Sequence, residues 1–246
     1  MKIHVLNAAG DTIRTFSEEV KSGFNRFTWD LRENGVAFPS RREAKPNDDP
    51  PRGSEVMPGT YTLHFSHGEH TAQTTVVVHA DPRITYAPGT WENRRKANEE
   101  LAVVVKKATA GFDQIKAMRQ TLDLVEKTMV NLPDSTQTQI KEWGKPLRDS
   151  LNRLEELYME PEDVKGIKRN PTNLSSSLWS VRSYLREVNG EPSQMYRYSL
   201  EAARRHTDTV VAQVNSLING DFAAYKAKVE AIQMPLFKPI DPVKDK

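Results

Sequence analysis

The sequence predicts an α+β protein of two domains, an antiparallel β-sandwich over residues 1–86 and an antiparallel up-and-down helical bundle over residues 87–246. The prediction depends on a change in hydrophobic periodicity. Apolar residues recur with a period of two as far as about Tyr86, and with a period near 3.6 after Pro88. A chain of 246 residues is long enough for one large domain or two ordinary ones.

The first two strands are predicted from alternating side chains on either side of a tight turn. Ile3 and Val5 alternate with their neighbours in the first strand. Residues 7–11 contain Gly10, which suits a sharp reversal of the chain. Residues 12–16 then form the partner strand, so the chain is expected to begin with a β-hairpin.

Three further strands follow from the same alternation. In each of them, three side chains share one face: Phe27, Trp29 and Leu31 in the third strand, Tyr61, Leu63 and Phe65 in the fourth, and Thr74, Val76 and Val78 in the fifth. Residues 66–69 contain a glycine and connect the last two strands. Short strands joined by glycine-containing turns favour an antiparallel sandwich.

Residues 38–58 are dense in proline and charge and contain few large apolar side chains. A segment of this composition cannot bury enough apolar surface to form an element with a core of its own. We therefore expect a long loop inserted into the sandwich. A loop of this length is unusual in a compact domain, and it is expected to cover a neighbouring element or to be mobile.

The helical half begins near Thr90, where apolar residues start to recur every three or four positions. This spacing predicts a first helix of about 35–40 residues that ends at Leu132 and Pro133. A second helix is predicted over residues 135–159. It contains Gly144 and Pro146, so we expect a kink or a short break there.

Three more helices complete the predicted bundle. The third covers residues 172–188, and the fourth begins near Pro192, a residue suited to a first helical turn. Asn219 and Gly220 predict the end of the fourth helix, and residues 221–232 fit a short fifth one. Since the outer faces are polar, the apolar stripes of these helices must bury one another.

Charge and cysteine content disfavour several classes of function. Thirty-five basic and thirty-three acidic residues give a net charge of +2, whereas a duplex-binding surface normally has a clustered basic excess, so we expect no nucleic-acid partner. The chain has no cysteine, which excludes disulfides, thiolate metal sites and cysteine nucleophiles. Apolar runs stay below the roughly 18 residues of a membrane-spanning helix, and the first residues lack the apolar block of a secretion signal.

Three segments of the first half resemble the immunoglobulin-like domain of the flagellar hook-cap protein and of many bacterial secreted proteins. They are KIHVLNAAGDTIRTF at residues 2–16, GFNRFTWDLR at residues 23–32 and PGTYTLHF at residues 58–65. The resemblance implies an immunoglobulin-like sandwich. In such a domain Trp29 would anchor the core, Asp30 would accept hydrogen bonds from turn N–H groups, and Gly59 would permit a positive φ before Tyr61.

The whole chain resembles the C-terminal region of large bacterial exported proteins often named glycosyl hydrolases. This similarity is carried by the Trp-Asp-Leu-Arg motif that ends at Arg32, the Asp-Pro-Arg motif of Asp81 and Arg83, and the long helical tail. Members of that family begin with a sortilin-like propeller built from Asp-box repeats. The repeat Ser-x-Asp-x-Gly-x-x-Trp does not occur in this sequence, so any hydrolase activity implied by the family would belong to the propeller.

Three histidines, His64, His67 and His70, have the spacing closest to that of a metal site. Imidazole suits zinc or copper, and His64 and His70 could approach one another across a hairpin. Strand alternation, however, directs His64 and His67 to opposite faces. We therefore interpret the cluster as an exposed hairpin tip and expect no metal and no cofactor.

Asp30 paired with Asp81 or Glu55 would offer the two carboxylates of a glycosidase. The two aspartates lie at predicted strand ends next to Arg32 and Arg83, which favours roles as turn acceptors and ion-pair partners. The nucleophile elbow Gly-x-Ser-x-Gly, a phosphate-binding glycine loop and the zinc motif His-Glu-x-x-His are all absent from the sequence. We therefore predict no catalytic residue.

Four aromatic residues are candidates for stacking on sugar rings, namely Trp91, Trp143, Trp179 and Tyr198. Aromatic residues at helical spacing belong more often to a core or an interface than to a ligand site. A carbohydrate-binding module is thus the second hypothesis for the function, and a glycoside hydrolase is the third.

The leading hypothesis is a non-catalytic accessory region of a larger exported glycosyl-hydrolase-like propeller protein. It would act in packing, spacing or assembly, with the propeller as its partner. Self-association through apolar flanks of the helical bundle is a further expectation. By resemblance, the protein is expected in the periplasm, on the cell surface or outside the cell.

Overall fold

The computed structural model describes residues 1–161, 172–186 and 190–232. An antiparallel sheet of four strands comes first in the chain, and helices follow it. The chain divides into two compact units. Unit 1 comprises Met1–Thr109 and Ser177–Arg204, and unit 2 comprises Ala110–Ser176 and Arg205–Lys246.

The described residues contain six strands: β1 (Lys2–Leu6), β2 (Thr12–Ser17), β3 (Arg32–Asn34), β4 (Arg52–Glu55), β5 (Gly59–His67) and β6 (His70–Val78). Four of them form one sheet in the order β2-β1-β5-β6, and every neighbouring pair is antiparallel. Strands β3 and β4 pair antiparallel as a separate two-stranded ribbon. The predicted hairpin turns are confirmed at Gly10 and Gly68, which have φ angles of +87° and +57°.

The sheet is held by a cluster of buried apolar side chains: Ile3, Val5, Phe16, Val56 and Tyr61. Their alternation along the strands is the one predicted from the sequence, with the side chains between them directed away from the cluster. Phe27 and Trp29 pack against the cluster from outside the four-stranded sheet and are partly buried.

The third predicted strand, through Phe27, Trp29 and Leu31, is wrong. Residues 24–30 have no strand pairing, and the strand in this region is Arg32–Asn34. Leu31 has a φ of +56°, in the left-handed region, which interrupts an extended backbone. The alternation of apolar residues reflects packing against the core and does not require a hydrogen-bonded ladder.

The loop predicted for residues 38–58 contains a strand, β4, that the composition did not predict. Arg52 of β4 lies opposite Asn34 of β3, and Glu55 lies opposite Arg32. This short strand is stabilised by pairing with β3 and by the burial of Val56 beside it. The residues of β4 itself are polar, so hydrophobic alternation does not predict the strand. Residues 35–51 are free of helix and strand, as expected.

The described helices are α1 (Thr90–Thr128), α2 (Asp134–Tyr158), α3 (Leu174–Arg186), α4 (Gln194–Leu217) and α5 (Ala223–Glu230). The long first helix is confirmed, with 39 residues followed by a short 3-10 turn. The end predicted for the third helix, at Val188, lies outside the described residues. Within the described ranges, no helix is both long enough and apolar enough to cross a membrane.

Two expected helix interruptions differ from the structure. α2 is continuous through Gly144 and Pro146, although a kink or break was predicted there. The stop predicted at Asn219 and Gly220 is replaced by a π-helical turn over Ile218–Phe222, which leads directly into α5. A π turn absorbs an extra residue without ending the helix, so a glycine there need not act as a C-cap.

In unit 2, α1 and α2 are antiparallel, because the contact partners in α2 move toward its N-terminus as the chain advances along α1. The Arg119 guanidinium lies 2.7 Å from the Glu155 carboxylate, and Arg148 lies 2.8 Å from Asp123 and 2.9 Å from Glu126. These ion pairs flank an apolar interface that includes Leu122, Leu147 and Leu151, all buried.

The direction of α4 and α5 differs from a strict up-and-down arrangement. Gly111 of α1 lies beside Val211 of α4, and further along, Leu122 of α1 and Tyr225 of α5 both approach Gly144 of α2. The contacts of α1 with α4 and α5 move toward higher residue numbers on both sides. α1 therefore runs in the same direction as α4 and α5. The apolar stripes predicted which faces are buried but not the direction in which they meet.

Gly111 of α1 lies where side chains of α2 and α4 approach the helix backbone closely. A Cβ at this position would collide with the Tyr158 hydroxyl and come within 3.0 Å of Val211 Cγ2. Tyr158 is fully buried and packs against Phe112, with ring centroids 5.1 Å apart. The tyrosine side chain cannot move away easily, so the position requires glycine.

We predict that Gly111→Ala lowers the free energy of unfolding by about 1–3 kcal/mol, because the collision outweighs the helix propensity of alanine. The matched control is Gly220→Ala, where a Cβ would meet no atom within 4 Å. This control should raise stability by about 0.5–1 kcal/mol. Denaturant unfolding measures both, and two changes of the same sign would contradict the packing described here.

Candidate functional site

A groove of about 270 Å³ opens in unit 1 beside the ribbon of β3 and β4. We call it the ribbon groove. The ribbon and the segment that follows β3 form one side, and side chains of α1 and α3 form the other. The groove combines charged walls with an apolar base that includes Leu101 and Val105 of α1, both buried.

Two glycines bring the strands of the ribbon unusually close together. A Cβ on Gly35 would lie 2.7 Å from the carbonyl oxygen of Arg52, and one on Gly53 would lie 2.7 Å from that of Asn34. The Gly35 amide donates a hydrogen bond of 2.6 Å to the Pro51 carbonyl oxygen. Any larger residue at either glycine would displace backbone, because no flexible side chain is there to yield.

Arginines on both sides of the groove engage one carboxylate, that of Glu55. Its Oε1 lies 3.0 Å from Arg32 on the opposite strand, and its Oε2 lies 3.8 Å from Arg94 on α1. Arg32 also donates to the Gly53 carbonyl oxygen at 3.2 Å. Glu55 therefore acts as a link between the ribbon and α1.

A stack of three side chains joins the chain after β3 to α3. The rings of Phe38 and Trp179 are stacked with centroids 4.5 Å apart, and the Arg182 guanidinium lies 5.4 Å and 5.1 Å from their centres. Arg182 also donates to the Arg52 carbonyl oxygen at 3.1 Å. On α1, the Thr109 hydroxyl donates to the Ala37 carbonyl oxygen at 2.7 Å.

Glu33 of β3 also lines the ribbon groove. Burial raises the pKa of Glu33 above its ordinary value, while Arg95 acts against this change and Glu99 adds to it. A carboxyl group whose protonated form is favoured in the folded state is destabilising when ionised.

We predict that Glu33→Gln raises the melting temperature at neutral pH. Since the folded pKa is raised, the favourable contribution of Glu33 is complete below the unfolded pKa of about 4.3 and is lost as the pH rises through the folded pKa. The difference between variant and wild type should therefore shrink below about pH 4. Glu19→Gln, at an exposed position after β2, is the control for removal of one charge. A Glu33→Gln variant no more stable than wild type at neutral pH would contradict this.

Trp29 and Tyr61 lie together beside the core of the sheet. Trp29 and Tyr61 make an edge-to-face contact with centroids 5.4 Å apart. The Trp29 indole N–H donates to the Arg32 carbonyl oxygen at 3.0 Å, and the Tyr61 hydroxyl donates to the Met57 carbonyl oxygen at 2.6 Å. Trp29 therefore packs as expected for a core anchor, and both polar atoms are bonded to the backbone.

The motif aspartates make ion pairs in separate places. Asp30 lies 3.1 Å from Nε of Arg52, so its arginine partner is on β4 and is not the neighbouring Arg32. Asp81 accepts a backbone hydrogen bond from Arg83 and lies 2.6 Å from its guanidinium, which lowers the pKa of Asp81. Asp81 thus acts as the predicted turn acceptor and ion-pair partner.

The prediction for Gly59 is wrong. This residue is the first of β5 and does not have a positive φ. The nearest atom to a Cβ built there is Tyr61 Cε2, at 3.9 Å, so the position has room for a side chain. Among the described residues other than glycine, Leu31 alone has a positive φ, and no sequence signal identified it.

The three candidate histidines do not converge. His67 lies opposite His70 at the end of the β5–β6 hairpin, whereas His64 lies three residues earlier and pairs with Gln73 and His4. Alternation along β5 places His64 on the opposite face from His67. Among the described residues, no three histidine, aspartate or glutamate side chains are grouped so as to hold a metal ion.

The four aromatic candidates have different surroundings. Trp143 packs against a buried cluster in unit 2 and has Lys228 over its ring at 5.3 Å. Trp91 is half-buried between Tyr86 and Arg94. The remaining two, Trp179 and Tyr198, are 50% and 64% exposed. Of these, Trp179 has one face occupied by the stack with Phe38 and Arg182.

Sequence reasoning missed the residues that build the ribbon groove. Gly35 and Gly53 could have indicated a close backbone approach, because neither glycine lies in a predicted turn. Gly35 follows charged residues, and Gly53 lies between them. Phe38 is an apolar residue at the start of a polar segment, and it could have been recognised as an anchor for the loop. Arg182 gave no signal, because an arginine on a polar helix face is common.

Comparison with known proteins adds no relative: no family model, curated protein or solved structure matches the chain.

Proposed function

We propose that this chain is a non-catalytic accessory region of a larger exported glycosyl-hydrolase-like propeller protein, acting in packing, spacing or assembly. The observation that carries the proposal is the use of the motif side chains. The side chains of Trp29, Arg32 and Tyr61 donate hydrogen bonds to backbone carbonyl oxygens. Asp30 and Arg32 form ion pairs with Arg52 and Glu55. Side chains with such partners stabilise strands and turns, which supports a structural role for the motif residues.

An immunoglobulin-like sandwich is the fold we propose for the strand region. Support comes from the division of the strands into a larger and a smaller antiparallel sheet and from the aromatic pair beside the core. The hydrogen bond from the Tyr61 hydroxyl to a carbonyl oxygen four residues upstream is similar to the tyrosine corner of such domains.

The helices supply the length that a spacer requires. α1 has 39 residues, which corresponds to about 58 Å at the usual rise per residue. The ion pairs of Arg119 and Arg148 and the contact at Gly111 fix α1 against its neighbours in unit 2. A long helix stiffened by packing transmits position along its axis, which suits a part that holds a propeller in place.

Asp30→Asn tests whether the motif carboxylate is structural or catalytic. We predict a loss of stability of about 1 kcal/mol or less, since Arg52 is largely exposed and surface ion pairs contribute little. Neither wild type nor variant should hydrolyse chromogenic glycosides. Asp221→Asn, on the exposed π turn, is the matched control for the change in charge. Hydrolysis by wild type that a folded Asp30→Asn variant loses would overturn the non-catalytic assignment.

The proposed partner is tested by the coding sequence upstream of the chain. Asp-box repeats in the same reading frame or in a neighbouring gene would support a propeller partner. An upstream region that encodes no propeller would argue against the accessory role, whatever the outcome for Asp30.

A carbohydrate-binding module is the second candidate, and the exposure of Trp179 favours it. Stacking on Phe38 and Arg182 fixes one face of the indole and leaves half of its surface available to a sugar ring. A glycan array separates the two candidates, because a packing role predicts no bound glycan and a binding module predicts a defined set.

A further inference from the structure

Strand β6 is an uncovered edge of the four-stranded sheet. It lies at the end of the order β2-β1-β5-β6, and among the described residues no strand pairs with its outer side. Seven of its nine residues are exposed, whereas the neighbouring β5 has only two exposed residues. An edge strand of this length presents a row of backbone donors and acceptors to any strand that can approach.

The opposite edge of the same sheet is covered. On β2, the Thr15 amide donates to the Asn34 side chain and the Ser17 amide donates to the Asp49 carboxylate, each at 3.1 Å. The Arg14 side chain reaches the carbonyl oxygens of Pro50 and Pro51 at 2.7 Å and 3.1 Å. The chain thus protects β2 with its own side chains, and comparable protection is not found at β6 among the described residues.

The hairpin geometry identifies the outward-facing backbone groups of β6. His67 and His70 close a two-residue turn, and such a closing pair exchanges both of its backbone hydrogen bonds. Alternate residues after His70 therefore direct their N–H and C=O groups away from β5: these are Thr71, Gln73, Thr75 and Val77. The Val77 side chain is 56% exposed.

The sequence of β6 contains none of the features that usually prevent edge pairing. Between His70 and Val78 there is no lysine, arginine, aspartate, glutamate, proline or glycine. Threonine and valine, which favour strands, make up most of it. Proteins that keep an edge strand single normally place a charge or a proline on it.

We propose that β6 pairs antiparallel with β6 of a second copy of this chain, about a two-fold axis through Thr74. This register joins Thr71 to Val77 and Gln73 to Thr75 of the second copy, and gives about eight backbone hydrogen bonds from the outward-facing groups. The two sheets then form one sheet of eight strands, an isologous interface in which the same surface serves both copies.

The side chains that the proposed register brings together favour a second copy of this chain as the pairing partner. One position beyond each end of the pairing, the register places Glu69 opposite His79 of the second copy, a carboxylate facing an imidazole. No like charges meet along the strand, since β6 has no acidic or basic side chain apart from His70. This proposal does not depend on the accessory function or on self-association through the helices.

Sedimentation velocity of the full chain at several concentrations tests the proposal, and we expect a doubling of mass as concentration rises. A Gln73→Lys/Thr75→Lys variant places lysine opposite lysine in the proposed register and should remain a monomer. Thr60→Lys is the control, because this exposed residue lies on β5 and pairs with β6 at the edge opposite to the proposed interface.

Hydrogen exchange of the same samples shows where the copies meet. In the dimer, the amides of Thr71, Gln73, Thr75 and Val77 should exchange slowly, and in the double-lysine variant they should exchange fast. A monomer at every concentration would overturn the proposal and favour a strand of a different protein as the occupant. A dimer that survives the two lysines, or that leaves these amides unprotected, would overturn it as well.

Discussion

The close approach of β3 and β4 is the constraint on which the ribbon groove depends. Gly35 and Gly53 face backbone carbonyl groups at distances that exclude any Cβ, so this pairing exists because both positions lack a side chain. The pairing in turn sets the positions of Arg32 and Glu55, and of the segment that carries Phe38 to its stack with Trp179. The short polar strand β4 is therefore held in position by its pairing with β3, although it has no hydrophobic face of its own.

Much of the fold could be predicted from the sequence because periodicity is a local property. The length of α1 and the hairpin at Gly68 follow from patterns within a few residues of each position. The missed features depend on distant partners. β4 forms because β3 is beside it, and the strand predicted through Trp29 fails because the backbone turns left-handed at Leu31.

The candidate site was less predictable for a related reason. Single residues such as Asp30 or Asp81 could be recognised as ion-pair partners, but the sequence did not indicate that Asp30 pairs with Arg52 across the ribbon. Trp179 and Arg182 both contact Phe38, which lies more than a hundred positions earlier in the chain. The groove residues belong to common types and come together only on folding. No local sequence pattern therefore predicts the groove, and it is seen only in the structure.

Hydrogen exchange of Gly53→Ala tests most directly whether the glycine contact holds the ribbon in place. The amides of Gly35 and Val56 donate to Pro51 and Leu31, and in the wild type both should be protected. The account predicts that a methyl group at Gly53 opens the ribbon, so both amides exchange much faster while the amides of β1 stay protected. Unchanged protection at Gly35 and Val56 would contradict the account.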